Sequence, residues 1–176
     1  GPIMKRQTLA AISSILLTAA LSACAPSHKA LVARGQYLVS VIGCSDCHTP
    51  GGFSPKPDMS RFLGGSDVQF EVTGLGVYAP PNLTPDDATG LGKWSVDQIA
   101  TAITTGVIPD GRVLAPPMPW QAFSHLSRTD ALAIATYLKG LQPVSHQVPP
   151  PGSPVPEPPG TVIRIAQIGG GAQPSR

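Results

Sequence analysis

The chain has 176 residues, enough for one domain with a core, and its 21 prolines and 19 glycines are about twice the usual share. Only 12% of the residues are charged and 5% are aromatic, which predicts short helices separated by long, stiff loops. The formal net charge is +2 without a cluster of lysine and arginine, so we exclude a nucleic-acid-binding protein, which needs a basic surface to neutralise phosphates.

The first segment has the pattern of an export signal. Residues 1–3 are interpreted as a cloning scar, and residues 4–23 as a signal peptide in which two basic residues precede an uncharged apolar run from Leu9 to Leu21. This run is shorter than the roughly 20 residues that a membrane-spanning helix needs.

The end of that segment, LSAC, resembles the bacterial lipoprotein box, in which the cysteine becomes the lipidated first residue. We predict lipidation at Cys24, with simple secretion and an uncleaved anchor as alternatives. Each of these three alternatives predicts a periplasmic protein. Lipidation at Cys24 would also tether the protein to the membrane by a lipid anchor. Removing residues 1–23 takes away two of the 12 basic residues and none of the 10 acidic ones, which leaves no net charge.

A first helix is predicted from Lys29 to Ile42, after a linker at residues 24–29. The glycine at position 35 lies on its apolar stripe, and we expect Gly35 to meet Tyr137 of the last helix because glycine lets a ring approach the backbone closely. The helix leads directly to the cysteine at position 44. Its apolar stripe consists of Leu31, Leu38, Val39 and Ile42.

The stretch CSDCH contains Cys44, Cys47 and His48. A redox dithiol is expected at a strand-to-helix turn, whereas a helix precedes this motif. Structural zinc needs four ligands, and no second Cys/His pair at finger-like spacing follows. Haem attachment needs only two thiols on one face of a helical turn and an adjacent imidazole. We therefore predict one haem c, bound covalently through the two cysteines, with His48 as an axial ligand.

The second axial ligand is predicted to be Met118. Three prolines surround it and stiffen its loop, which holds the thioether in place at a small ordering cost. Met59 follows His48 by only eleven residues, a short span for a chain that must pass around the haem edge. His125 is interpreted as a surface residue. Two protein ligands indicate an electron carrier and not an enzyme; the alternative is a haem enzyme or gas sensor with an open or displaceable sixth ligand.

Two further helices have clear terminal signals. One begins at Ser95, where Gln98 completes a capping box, and runs to about Thr105. The other begins after Ser127 and ends at Gly140.

From about Ala30 to Gln142 the sequence resembles the class I cytochromes c, and among them the monohaem domains that serve bacterial periplasmic dehydrogenases. The resemblance rests on CSDCH and on four further blocks. It implies an all-α class I cytochrome c fold for residues 30–142, wrapped around one haem, and a redox partner that is a dehydrogenase donor or a respiratory acceptor. The four blocks are FLGG, APPNLTPDDATGLGKWS, DGRVLAPPMPWQAFSHLS and DALAIATYLKGLQP.

The same resemblance implies further haem contacts. Trp94 or Arg112 would donate a hydrogen bond to a haem propionate, and Asn82 would tie down the loop around the haem edge. Ordinary packing for the tryptophan and a solvated charge for the arginine are the alternatives. A proline carbonyl usually accepts the N–H of the proximal histidine in this family, and Pro55 and Pro57 are the candidates.

Residues 143–176 are rich in proline, glycine and uncharged residues and are predicted as a flexible tail. The alternative is that this tail docks onto a partner, with TVIRIAQI as an added strand.

Overall fold

The computed structural model describes residues 26–154 and 161–165. The predicted cloning scar, the signal peptide and the lipidation site at Cys24 lie outside these residues. The chain divides into a unit that ends at Ala30 and a unit that comprises Leu31–Arg176. The second unit contains the haem motif.

Five helices and three short strands are present in the described residues, with one 3₁₀ turn at Met59–Arg61. The helices are α1 His28–Ile42, α2 Cys44–His48, α3 Val96–Thr105, α4 Trp120–Phe123 and α5 Arg128–Lys139. The strands are β1 Gln69–Val72, β2 Gly76–Tyr78 and β3 Val162–Ile165.

Helices α1 and α5 cross in close contact at Gly35. A Cβ atom at this glycine would overlap the carbonyl of Ala133 and lie 2.7 Å from the Cβ of Tyr137. The predicted meeting of Gly35 and Tyr137 is therefore confirmed. An ion pair closes the same crossing, with Arg34 Nε 2.8 Å from Asp130 Oδ1.

The two later helices begin and end where the local sequence signals predict. Ser95 and Gln98 form both hydrogen bonds of a capping box at the start of α3, and Gly106 ends that helix in the left-handed region with φ 73°. Ser127 accepts a hydrogen bond from the backbone of Asp130 at the start of α5. Helices α3 and α5 pack together. The buried residues that they share with α1 include Leu38, Val39, Ile99, Ala100, Ala131, Ile134, Ala135 and Leu138.

A small sheet departs from the predicted all-α fold. Strand β1 lies between β2, to which it is antiparallel, and β3, to which it is parallel. The turn between β1 and β2 contains Gly74 at φ 80°, and β2 begins at Gly76 with φ 105°; glycine adopts both values without strain. The fold is therefore a helical domain with a small sheet, and the all-α prediction missed the strands.

Part of the predicted flexible tail makes specific contacts with the rest of the unit. We call residues 143–148 the strap; its backbone hydrogen-bonds to side chains of the loop at residues 82–89. Further along, Gly152 N donates to Val77 O at 2.9 Å. The strand β3 pairs with β1 of its own chain, whereas the sequence analysis considered it as a strand added to a partner.

Among the helices within residues 26–154, none is both long and apolar enough to cross a membrane.

Candidate haem-attachment site

The two cysteines of the motif lie on one short helix. Gly43, at φ 77°, joins α1 to α2, and its left-handed conformation turns the chain so that α2 starts at Cys44. Cys44 and Cys47 are free thiols, and both are half-buried. One helical turn therefore carries two unpaired thiols three residues apart, followed directly by His48.

Burial makes these thiols weak acids. Desolvation raises the pKa of Cys44 to about 11, and desolvation likewise raises the pKa of Cys47. Catalytic dithiols have a lowered pKa because the thiolate is the nucleophile. The thiols of α2 have the opposite shift, and a helix precedes them, so the redox-dithiol interpretation lacks support from the structure.

The imidazole of His48 is buried, and one of its nitrogens is fixed by the backbone. His48 Nδ1 lies 2.8 Å from the carbonyl oxygen of Pro81. Because a carbonyl only accepts, Nδ1 carries the hydrogen and Nε2 has the free lone pair. Burial lowers the pKa of His48, against a smaller opposing effect of the Pro81 hydrogen bond, so the ring is neutral at neutral pH. A neutral ring with a free Nε2 is the form that ligates iron.

The identity of this carbonyl corrects the sequence analysis, which named Pro55 and Pro57. The acceptor is Pro81, 33 residues after the histidine, in the block that begins APPNLTPD. The neighbouring Pro80 accepts a hydrogen bond from Ser66 N at 3.0 Å. The two consecutive prolines thus present both of their carbonyls to the segment around the haem motif.

Asn82 is fully buried and uses its whole amide within the protein. Its Oδ1 accepts from Thr84 N at 2.9 Å and from Thr84 Oγ1 at 2.7 Å. Its Nδ2 donates to Thr89 Oγ1 at 3.0 Å and to Val144 O at 2.6 Å. The side chain thus connects its own loop to the strap, immediately after the carbonyl that holds His48. Its role toward a haem stays a prediction.

Met118 lies half-buried in the turn that precedes α4. Its N–H donates to Ala115 O at 2.9 Å, and its carbonyl accepts from Trp120 N at 2.9 Å. The loop is joined to the end of α3 through Leu114 N, which donates to Gly106 O at 2.8 Å. The position of the methionine is therefore set by contacts with the end of α3 and the start of α4.

The two candidate propionate donors differ in their surroundings. Trp94 packs half-buried against the apolar core. Arg112 is exposed, and its Nε donates to Asp110 Oδ2 at 3.0 Å, so it is already paired with a carboxylate two residues away. A propionate contact of either residue stays a prediction.

The other methionine and histidines of the described residues have different environments. Met59 is 61% exposed, in a 3₁₀ turn. His28 and His125 are exposed. His146 Nδ1 lies 2.7 Å from the carbonyl oxygen of Gly64, an interaction that the sequence analysis did not predict.

The residues present fit a covalently attached haem. Cys44 and Cys47 supply two unpaired thiols on one turn, and His48 supplies a neutral buried imidazole whose second nitrogen is already held. In residues 26–154 and 161–165, no three His, Cys, Asp or Glu side chains are grouped so that they could hold a metal ion.

Fold and site together define a mainly helical haem-attachment domain. The Cytochrome c family matches residues 32–142, and the chain belongs to this family. This confirms the resemblance that the motifs indicated, and it implies a covalently bound haem c and a function in electron transfer.

Several relatives of this chain are cytochrome subunits of bacterial dehydrogenases. It is 34% identical over 144 residues to the gluconate 2-dehydrogenase cytochrome c subunit of Pantoea cypripedii, covering 81% of this chain and 30% of that protein. It is 36% identical to the alcohol dehydrogenase (quinone) cytochrome c subunit of Gluconacetobacter polyoxogenes, in a match that covers 68% of this chain and 26% of that protein. It is 28% identical to the fructose dehydrogenase cytochrome subunit of Gluconobacter japonicus, in a match that covers 65% of this chain and 22% of that protein. The chain therefore spans less than a third of the length of each.

Proposed function

We propose that this chain is an electron carrier of the class I cytochrome c type, with one haem c attached through Cys44 and Cys47 and ligated by His48 and Met118. The observation that carries the proposal is the buried imidazole of His48, which follows two free thiols on α2 and whose Nδ1 is fixed by Pro81. When bound, haem c supplies an iron that gains and loses one electron.

Attachment uses the thiols of α2 in a reaction without net oxidation. Cys44 and Cys47 would each add their S–H across one vinyl group of the porphyrin, with the sulfur bonding to one vinyl carbon and the hydrogen going to the other. The raised pKa values of Cys44 and Cys47 keep both thiols protonated at neutral pH. His48 directly follows the second cysteine, and its free Nε2 would be the nitrogen that ligates the iron.

The proposed role of Met118 is to close the other side of the iron. A thioether ligand favours the ferrous state and raises the reduction potential relative to a second histidine. The surrounding prolines and the backbone hydrogen bonds to Ala115 and Trp120 hold the methionine in its turn. If His48 and Met118 both ligated the iron, no site for substrate would remain there, which favours electron transfer over haem catalysis or gas sensing.

A redox protein is the proposed partner, and the periplasm the proposed location. The named relatives are cytochrome subunits of dehydrogenases, which supports a dehydrogenase as the electron donor and a respiratory component as the acceptor. The export signal and the predicted lipidation of Cys24 support a membrane-tethered protein outside the cytoplasm.

The test is a spectrum of the exported protein and of its Met118→Ala variant, with Met59→Ala as the matched control. We expect a low-spin haem in the parent and in Met59→Ala, and binding of cyanide and carbon monoxide by Met118→Ala. A parent that binds both ligands rapidly would instead support the haem enzyme or gas sensor. Mass analysis of a Cys44→Ser, Cys47→Ser variant should show loss of the covalent porphyrin; a parent without added porphyrin mass refutes the proposal.

A further inference from the structure

The strap, residues 143–148, contacts both segments that hold His48. One is the loop at residues 80–84, which contributes the Pro81 carbonyl to the ring of His48. The other is the segment at residues 63–66, in which Gly65 N donates to the backbone carbonyl of His48 at 2.9 Å. The histidine is therefore held at its ring by one segment and at its backbone by the other.

The strap binds the first segment through its backbone. Val144 O accepts from Asn82 Nδ2 at 2.6 Å, and Val144 N donates to Thr84 Oγ1 at 3.0 Å. Thr84 is fully buried and Asn82 almost so, at 0% and 1% exposure. Since Asn82 directly follows Pro81, these bonds fix the peptide whose carbonyl meets the imidazole.

The strap binds the second segment through its side chains. His146 Nδ1 donates to Gly64 O at 2.7 Å. Val148 Cγ1 lies 2.7 Å from the position that a Cβ of Gly65 would occupy, and His146 Nδ1 lies 3.3 Å from that position. Both glycines are buried, and their lack of a side chain is what allows the strap to approach the backbone so closely.

The second segment also stores backbone strain. Leu63 has φ 57°, in the left-handed region, although it is a fully buried leucine. Such a conformation is strained and persists only where surrounding contacts enforce it. The strap supplies such contacts at the next two residues.

We infer that the strap is a positioning element for the proximal histidine, and that His146 sets the hydrogen bond between His48 and Pro81 by holding the two flanking segments together. The inference rests on the proposed function, because it takes His48 as an iron ligand. A hydrogen bond donated by the non-ligating nitrogen raises the basicity of a histidine ligand and so favours the ferric state. Loosening the strap weakens that bond, which should raise the reduction potential.

The test is a redox titration of the holoprotein and of three single-residue variants. His146→Ala should shift the midpoint potential upward while the spectral signature of methionine ligation is retained. His146→Gln, whose amide can donate to Gly64 O, should return the potential toward that of the parent. His125→Ala, an exposed histidine outside the strap, should leave it unchanged.

An unchanged or lowered potential in His146→Ala overturns the inference, and so does a shift in His146→Gln as large as that in His146→Ala. If His146→Ala does not yield holoprotein, Val148→Ala carries the same expectation, because it removes the contact with Gly65. A parent with no haem signature would refute the proposed function instead, so the two failures are distinguishable.

Discussion

The backbone of Gly106 lies directly against the indole of Trp120. A Cβ at this glycine would be 2.6 Å from two ring carbons of the tryptophan. Gly106 ends α3, and Trp120 begins α4 two residues after Met118. The contact therefore joins the two helix ends between which the proposed methionine ligand is held.

We predict that Gly106→Ala destabilises the protein by about 2–5 kcal/mol and weakens methionine ligation. The cost has two parts: about 1–2 kcal/mol for a side chain at φ 73°, and about 1–3 kcal/mol for overpacking against the indole. Denaturant unfolding measures the loss of stability. Carbon monoxide binding by the folded Gly106→Ala variant measures the weakened methionine ligation.

Gly111→Ala is the matched control for this prediction. Gly111 has φ 88°, and a Cβ there meets no other described atom within 4 Å. Gly111→Ala should lower the free energy of unfolding only by the conformational cost of about 1–2 kcal/mol, and the variant should not bind carbon monoxide. Equal effects of the two substitutions would show that the Trp120 contact does not position the loop.

A second prediction concerns the crossing of α1 and α5. In an isolated helix Gly35→Ala would stabilise by about 1 kcal/mol. Here the new Cβ overlaps the Ala133 carbonyl, which belongs to the backbone and cannot rotate away. We expect a net loss of about 2 kcal/mol or more, measured by denaturant unfolding. Gly140→Ala, whose nearest neighbour would be 3.4 Å away, should change stability by less than 1 kcal/mol; a stabilised Gly35→Ala contradicts the close crossing.

The ion pair between Arg34 and Asp130 should make stability depend on pH. The Arg34 hydrogen bond is the main cause that lowers the pKa of Asp130. A carboxyl whose pKa is lower in the folded state contributes stability above its unfolded pKa of about 3.9, and loses it as the pH falls through the folded value. Arg34→Gln should therefore be less stable than the parent at pH 6, with the difference shrinking as the pH falls below the unfolded pKa of about 3.9.

Urea unfolding of both proteins at several pH values measures this difference. Arg128→Gln is the control, because the Arg128–Asp97 pair is more exposed, at 78% and 70% of the two side chains. Its effect should be smaller at every pH, and added salt should reduce both effects. A difference that persists at pH 2 would show that Arg34 acts through packing and not through the carboxylate.

The helices were predictable because their signals are local. Ser95 and Gln98 are three residues apart, so the capping box can be recognised without knowledge of the fold. The meeting of Gly35 and Tyr137 followed from a glycine on an apolar stripe, a pattern that indicates a close helix crossing.

The contacts that could not be predicted depend on the paths of loops. The carbonyl that holds His48 comes from Pro81, 33 residues along the chain, and a backbone carbonyl has no signature in the side-chain sequence. The strands β1, β2 and β3 have four, three and four residues, too few for a reliable alternation of apolar and polar positions. The strap has a disordered composition, and its order comes from partners such as Asn82 and Gly64.

The last prediction concerns Thr49, the residue after His48. Thr49 is fully buried, and its Oγ1 accepts the N–H of Leu63 at 3.0 Å, which holds that leucine at φ 57°. Thr49→Val keeps the shape of the side chain but leaves this N–H without an acceptor. We expect a loss of about 1–3 kcal/mol in the free energy of unfolding, the usual cost of an unsatisfied buried donor.

Thr101→Val, on the exposed face of α3, is the matched substitution and should change stability by at most about 0.5 kcal/mol. Denaturant unfolding of the two variants compares the same chemical change at a buried acceptor and at a surface position. If Thr49→Val were as stable as Thr101→Val, the strained conformation of Leu63 would have to be held by its neighbours alone. Leu63 directly precedes the two glycines against which the strap packs. A large loss of stability in Thr49→Val would therefore show that Thr49 and the strap together hold the segment at residues 63–66, which contacts the backbone of His48.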